Sequence, residues 1–387
     1  MAYLAADRNH YQGQTYVTGD VSLYASWADP ILHGDRRTYE DVKVQYPPGS
    51  LPFMLLPDVG SPGPSGYLVR FVVEMVLVGL AAFGGLYLLA RRYASAAGMW
   101  IWALALPALG PIVYDRVDLP PAAATIWGLA AFDSGALPAA GAWFGFATAA
   151  KLYPVLLVPQ LVAAARRRAP VLAGFFVLVA AAVLPFVTEL RSLWSSVLGY
   201  HSARGIQAES NWGLALLFAS HAGHPTRVVY EFGSFNVLSP ASEVLKRASE
   251  AASIAAVAGG AAVAWLRRAA GAGTLAGTMF GTLALVMSTG TVLSPQYLVW
   301  LMALGAVAAT ADRRFLLPAA LIVPMGALSQ EIYPFFYGDL LTAHPRELVI
   351  LAVRNGLLLA SAGWALAVAL GTKTTKRSNP LDSCVVR

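Results

Sequence analysis

At 387 residues the chain is long enough for two or three soluble domains, but 57% hydrophobic against 12% charged residues, with a mean hydropathy of +0.58, excludes a soluble surface. The net charge of +6 would invite nucleic acid in a soluble protein. Here the basic residues stand in pairs and triplets just beyond apolar runs, so nucleic acid is excluded as a partner, and the single Cys384 excludes an internal disulfide.

Residues 1–65 hold the most acidic stretch. Asp20, Asp29, Asp35, Glu40 and Asp41 lie between positions 20 and 41. Within it Val21, Tyr24, Ala25, Ala28, Ile31 and Leu32 recur at helical spacing, and Gly34 is placed to end the helix. This predicts a short amphipathic helix at a membrane surface. Asp20 stands immediately before it, where its carboxylate caps backbone N–H groups, worth about 1 kcal/mol, or is free for chemistry.

Apolar runs follow at 67–90, 97–114, 119–133, 136–150, 153–165, 169–188, 249–266, 273–290, 296–311, 315–330 and 347–370. Runs of about 20 residues cross roughly 30 Å of hydrocarbon as helices. The fold class is therefore an all-α polytopic membrane protein of about 11 transmembrane helices. The runs 119–133, 136–150, 153–165 and 315–330 are short for a crossing and are expected to tilt or to sit inside the bundle. Arg70 and Glu74, four apart in the first run, predict an ion pair.

The basic clusters at Arg91-Arg92, Arg166 to Arg168, Arg267-Arg268, Arg313-Arg314 and Lys373 to Arg377 fall on one side, which the positive-inside bias makes cytoplasmic. The parts are then an extracytoplasmic loop 1–65, transmembrane helices 66–188, a large extracytoplasmic loop 189–248, transmembrane helices 249–371 and a cytoplasmic tail 372–387. The expected location is the plasma membrane, multi-pass. Translocating residues 1–65 without an apolar leader implies a twelfth, N-terminal helix upstream. In the large loop, Ser210 or Asn211 caps a short helix and Trp212 anchors at the interface.

Four segments carry a resemblance. "GDVSLYASWADPILHG" with "TYED" and "QYPPGSLPFMLLP" (19–57), "YDRVDLPPAAATIWGLAAF" (114–132), "ATAAKLYPVLLVPQLV" (147–162) and "LSPQYLVWLMAL" (293–304) together resemble the polyprenol-phosphate-mannose-dependent mannosyltransferases, glycosyltransferase family 87 of the GT-C superfamily. In that pattern a catalytic Asp precedes a hydrophobic-x-x-Tyr, a Gly follows the short helix, and an acidic-Tyr-Pro-Pro leads into the next span. Asp20, Tyr24, Gly34 and Tyr46-Pro47-Pro48 match it. Gln45 stands where the family commonly has Glu, so no carboxylate is available there.

The resemblance implies a GT-C-like bundle with its site on extracytoplasmic loops. It implies transfer of a hexose, taken as mannose, from a polyprenyl-phosphate sugar donor to a glycan or glycolipid acceptor in the membrane lipid. Inversion needs one base for the acceptor hydroxyl and cations for the departing phosphate. Asp20 is the candidate base. Arg116, Lys151, His201 and Arg204 are the candidate phosphate ligands, with snorkelling or solvated charges as the alternative for each. Tyr24, Tyr46, Asp118, Tyr153, Gln296 and Tyr297 are candidate substrate contacts. Asp115 and Asp118 flank Arg116 and with Asp20 offer oxygens for a divalent cation, but no spacing matches a recognised metal motif, so neither metal nor cofactor is expected. A transporter or flippase is the alternative; it predicts repeats and polar residues at the membrane midplane. No span outside Arg70, Glu74 and Arg354 carries an obvious charge, Arg70 and Glu74 being the pair that would line a transport path.

Overall fold

The computed structural model describes residues 19–371; the expected upstream helix and the tail 372–387 lie outside them. Helix α1 (Gly19–Leu32) buries Val21, Tyr24, Trp27 and Ala28, one face at helical spacing, while Leu23 and Leu32 stay exposed. Gly34 follows because any Cβ there would meet the Pro30 carbonyl oxygen at 2.8 Å. Asp20 lies inside the first turn and not ahead of it, which removes the simple capping role from its carboxylate.

The chain then folds back beneath α1. The Tyr39 and Glu40 N–H groups donate to Glu189 Oε2 at 2.7 and 2.9 Å, and the Tyr39 hydroxyl donates to the Tyr46 carbonyl at 3.0 Å. Gly49 presses on the end of a later helix: a Cβ would lie 2.6 Å from the Ala149 carbonyl carbon. Only Gly permits this backbone approach, and it fixes the height of Tyr46 three residues earlier.

The bundle comprises α2 (Gly63–Tyr93), α3 (Ala97–Leu109), α4 (Leu119–Asp133), α5 (Leu137–Ala150), α6 (Val158–Ala164), α7 (Arg168–Val183), α8 (Asn211–His221), α9 (Ser242–Leu266), α10 (Ala272–Thr289), α11 (Leu298–Ala311), α12 (Ile322–Gln330) and α13 (Pro345–Gly371). Each of the eleven apolar runs is helical over most of its length. Among the described residues, six helical stretches are long and apolar enough to cross a membrane: 63–93, 168–199, 242–266, 272–289, 313–335 and 345–371. The protein is an all-α polytopic membrane protein. A two-stranded hairpin, β1 (Arg227–Glu231) and β2 (Ser234–Leu238), interrupts the large loop.

Two of the shorter helices occupy the interior, whereas the run 315–330 belongs to the stretch 313–335 that is long enough to cross. Helix α4 buries ten of its 15 residues and α11 buries 13 of 14, whereas only 11% of the apolar window of the stretch begun by α7 is covered. At 1.5 Å per residue α4 spans about 22 Å, less than the hydrocarbon thickness. A helix that stops short is tolerated where its ends meet protein or line a cavity. Helices α5 and α7 touch backbone to backbone, since a Cβ at Gly141 would lie 1.9 Å from the Val171 carbonyl oxygen.

The two ends of the bundle differ in charge. Arg92 Nε lies 2.7 Å from Asp133 Oδ2, joining the ends of α2 and α4. Arg168 and Arg268 both lie over the Trp265 ring, at 4.5 and 4.6 Å, and Gly273 packs on Asp312, next to Arg313-Arg314. Arginines distant in sequence thus gather at one end. The expected Arg70–Glu74 pair does not form: Arg70 NH1 instead donates to the Val59 carbonyl at 2.6 Å, because the turn before α2 presents unsatisfied carbonyls to it.

Candidate active site

The opposite end holds a cavity of about 1050 Å³. The inner helices end at its wall. Arg116 comes from the segment before α4, Lys151 from the residue after α5, Gln296 and Tyr297 from the turn before α11, and Asp20 from the first turn of α1. The loop 199–210 and the hairpin roof it. Phe232 and Gly233, both at positive φ (53° and 67°), make the two-residue turn that primed hairpins require. The Phe232 carbonyl accepts the Tyr200 hydroxyl, which holds the tip over the cavity.

Two charge pairs organise the wall. Asp20 Oδ2 lies 2.7 Å from Arg116 Nε; the Asp20 side chain is 36% exposed and Arg116 only 7%. Lys151 Nζ lies 2.9 Å from both Asp118 oxygens. The Trp300 indole N–H donates to Asp118 Oδ1 at 2.6 Å. Asp118 is wholly buried and does not line the cavity, so it holds Lys151 and Trp300 in place without itself reaching a ligand. Its occupation by these two partners also removes it from the Asp20–Asp115–Asp118 oxygen set.

Trp300 lies between Tyr153 and Tyr297 in a continuous stack, with ring centroids 4.1 and 4.0 Å apart and planes inclined by 7° and 19°. Lys151 Nζ sits 5.0 Å from the Tyr46 ring centroid and 5.7 Å from that of Trp300, within cation–π range. The ammonium is therefore fenced by one carboxylate and two aromatic faces, its remaining direction being the cavity. This is a built position and not a snorkelling one.

Arg204 also lines the cavity. Its Nε is buried and makes no hydrogen bond among the described residues. Deeper in, Glu209 is paired with Arg354 at 3.1 Å, and Asn355 Nδ2 donates to its carbonyl at 3.2 Å. Burial pushes the Glu209 carboxyl up to about 7, although Arg354 and Tyr337 pull it down. Gln207 ties this loop to the wall, accepting from Leu293 N–H at 3.1 Å and donating to Ser294 Oγ at 3.0 Å.

Of the residues expected from sequence, Asp20, Tyr46, Arg116, Lys151, Tyr153, Arg204, Gln296 and Tyr297 share this one cavity. Tyr24 does not reach it. It is fully buried and its hydroxyl meets that of Tyr46 at 3.1 Å, so it sets the position of Tyr46. The His201 side chain lies outside the described residues. Ser210 caps α8, its Oγ accepting from Gly213 N–H at 2.9 Å, and Trp212 donates to the Thr289 carbonyl at 2.7 Å, a protein contact in place of a free interfacial anchor.

Gln207, Trp300, Tyr333 and Tyr337 also line the cavity and escaped the sequence reading. Trp300 stood inside a quoted motif, but the chain leaves helical geometry at Tyr333, just before Pro334, so the four-residue spacing of Tyr333 and Tyr337 is not a helical one. Gln207 had no signal. A comparison with known protein families matches residues 45–295 to the model described as glycosyltransferase family 87, more than half of the chain. No curated protein matches.

Proposed function

Because the chain belongs to glycosyltransferase family 87, we propose that this membrane glycosyltransferase moves a hexosyl group, mannosyl in the first instance, from a polyprenyl phosphate to a hydroxyl of a lipid or glycan acceptor, with inversion. The supporting observation is one cavity in which a single partly exposed carboxylate, Asp20, faces cations supplied from three separate segments, Arg116, Lys151 and Arg204. The donor phosphate lies among the cations. The acceptor hydroxyl approaches Asp20, which takes its proton as the acceptor oxygen bonds to the anomeric carbon. The bond from that carbon to the phosphate oxygen breaks, and its electron pair leaves with the polyprenyl phosphate. Negative charge grows on the phosphate, where fixed cations stabilise it more than they stabilise the donor. Arg116 orients the base through the same ion pair.

Incubating the purified protein with radiolabelled polyprenyl-phosphate sugars and membrane lipid acceptors tests the donor. Mannosyl transfer is expected from the lipid phosphate and none from a nucleotide sugar; the reverse pattern overturns the reading. Arg204→Gln is expected to raise the donor KM about tenfold or more, since a hydrogen bond to a charged group contributes about 1.5–3 kcal/mol. An unchanged KM returns Arg204 to the solvated class.

We place the cavity on the extracytoplasmic face of the plasma membrane, with the arginine-rich end inside. With Cys384→Ser as background, Ser202→Cys beside the cavity and Ser134→Cys at the arginine end are both exposed positions. An impermeant thiol reagent on intact cells is expected to label the first and not the second. Labelling of Ser134→Cys alone puts the site on the cytoplasmic face.

A further inference from the structure

We propose that Asp29, His33 and Asp58 bind a divalent transition-metal cation, zinc by the nature of the donor set, clamping the end of α1 to the turn before α2. Asp29 and His33 stand four apart on one face of α1 and its end, and Asp58 comes from the turn that precedes α2. One ligand atom from each lies within 4.8 Å of the other two. His33 Nε2 is 3.4 Å from Asp58 Oδ2, which is about the edge of a tetrahedron with bonds near 2.1 Å. Ser61 Oγ lies 3.2 Å from the same nitrogen.

The second observation is the state of Asp58. The residue is 7% exposed and its Oδ2 is buried without a hydrogen-bond partner. A buried acceptor without a hydrogen bond is destabilising, and the nitrogen 3.4 Å from it is His33 Nε2. Asp29 and His33 are exposed, so an ion has a way in. The turn is rigid enough to offer a formed ligand: Ser61 N–H donates to the Asp58 carbonyl at 2.9 Å, and Arg70 binds the Val59 carbonyl at 2.6 Å. An imidazole nitrogen with two carboxylates suits zinc, whereas Mg²⁺ and Ca²⁺ take oxygen donors.

The competing occupant is a proton on His33, which makes the same contact a plain ion pair. The site is separate from the cavity, since His33 is 13 residues along α1 from Asp20, about 20 Å at helical rise. The proposal therefore stands or falls independently of the transferase reading.

The test uses the full chain without an affinity tag, purified in detergent, stripped with a chelator and given Zn²⁺. About one zinc per chain is expected to survive gel filtration, together with a raised Tm; Co²⁺ is expected to give a visible d–d band, and Mg²⁺ and Ca²⁺ neither effect. Asp58→Asn and Asp29→Asn are each expected to lose the bound zinc and the Tm shift. Asp29→Asn changes an exposed side chain and decides the matter if Asp58→Asn does not fold. Zinc well below one per chain in the unchanged protein, or zinc retained in Asp29→Asn, overturns the site and leaves an ion pair.

Discussion

Asp20→Asn is expected to lower turnover about 10²-fold or more, the usual scale for a lost general base, while donor binding changes little. The substitution preserves the shape of the side chain in the first turn of α1. It removes the carboxylate that pairs with Arg116, which is only 7% exposed. The loss therefore falls between the about 1 kcal/mol of an exposed pair and the about 3–5 kcal/mol of a broken buried one, and Tm is measured beside turnover to separate the two effects. Asp20→Glu keeps an acid but moves it by one methylene, and intermediate turnover would show that the proton acceptor must be placed as well as present. Wild-type turnover in Asp20→Asn moves the base elsewhere, and the structure narrows where. Asp29 lies at the far end of α1, and Asp118 is buried behind Lys151. Glu209 remains. A base must be ionised, so with the Glu209 carboxyl pushed up to about 7 its activity would fall as pH falls through about 7, and a pH–rate profile of Asp20→Asn reads that directly.

Lys151→Met is expected to damage both stability and donor use. Asp118, wholly buried, would keep only the Trp300 indole as partner, and breaking a buried pair by removing one member costs about 3–5 kcal/mol. Lys151→Arg keeps the charge but brings a planar fork to a place shaped for a compact ammonium, and is expected to retain more of both properties. The double variant Lys151→Met with Asp118→Asn separates the roles. It removes both charges and leaves Trp300 an acceptor, so thermal stability is expected to recover in large part while the donor KM remains raised. Recovery of both would make Lys151 a structural residue only.

The apolar runs were legible because lipid demands continuous hydrocarbon, and every one of them is helical. The interior position of 119–133 was legible as shortness, since a helix too brief to span has to end inside protein, whereas that of 296–311 was not singled out. The site was legible only where it is local, at the ends of those short helices, as Arg116, Lys151 and Tyr297 are. What escaped is carried by distance in sequence. Trp300 reaches Asp118 across 182 residues, and Arg354 reaches Glu209 across 145, so neither spacing nor periodicity could announce them. Arg70 shows a different limit. Helical spacing brought it near Glu74, but it could not reveal that a turn eleven residues earlier would offer a carbonyl instead. The helix begins at least two residues before the expected Val21, and that shift turned Asp20 from a cap into a cavity-facing group.

The shortness of α4 bears on how a long-chain substrate is handled. Its last residue, Asp133, is level with the arginine-rich surface through Arg92, so its first turn, about 22 Å away, stops roughly 8 Å short of the far headgroups. The cavity is an excavation into the oil. Under the proposed donor assignment, a polyprenyl phosphate would have no need to be lifted outward to react: its phosphate would sink to meet Arg116 and Lys151 while the tail stays among acyl chains. Raising the tail instead would wet about 0.8 kcal/mol of hydrocarbon for each methylene exposed, so five would cost about 4 kcal/mol. An enzyme of the proposed kind would bring water down to the lipid rather than the lipid up to the water.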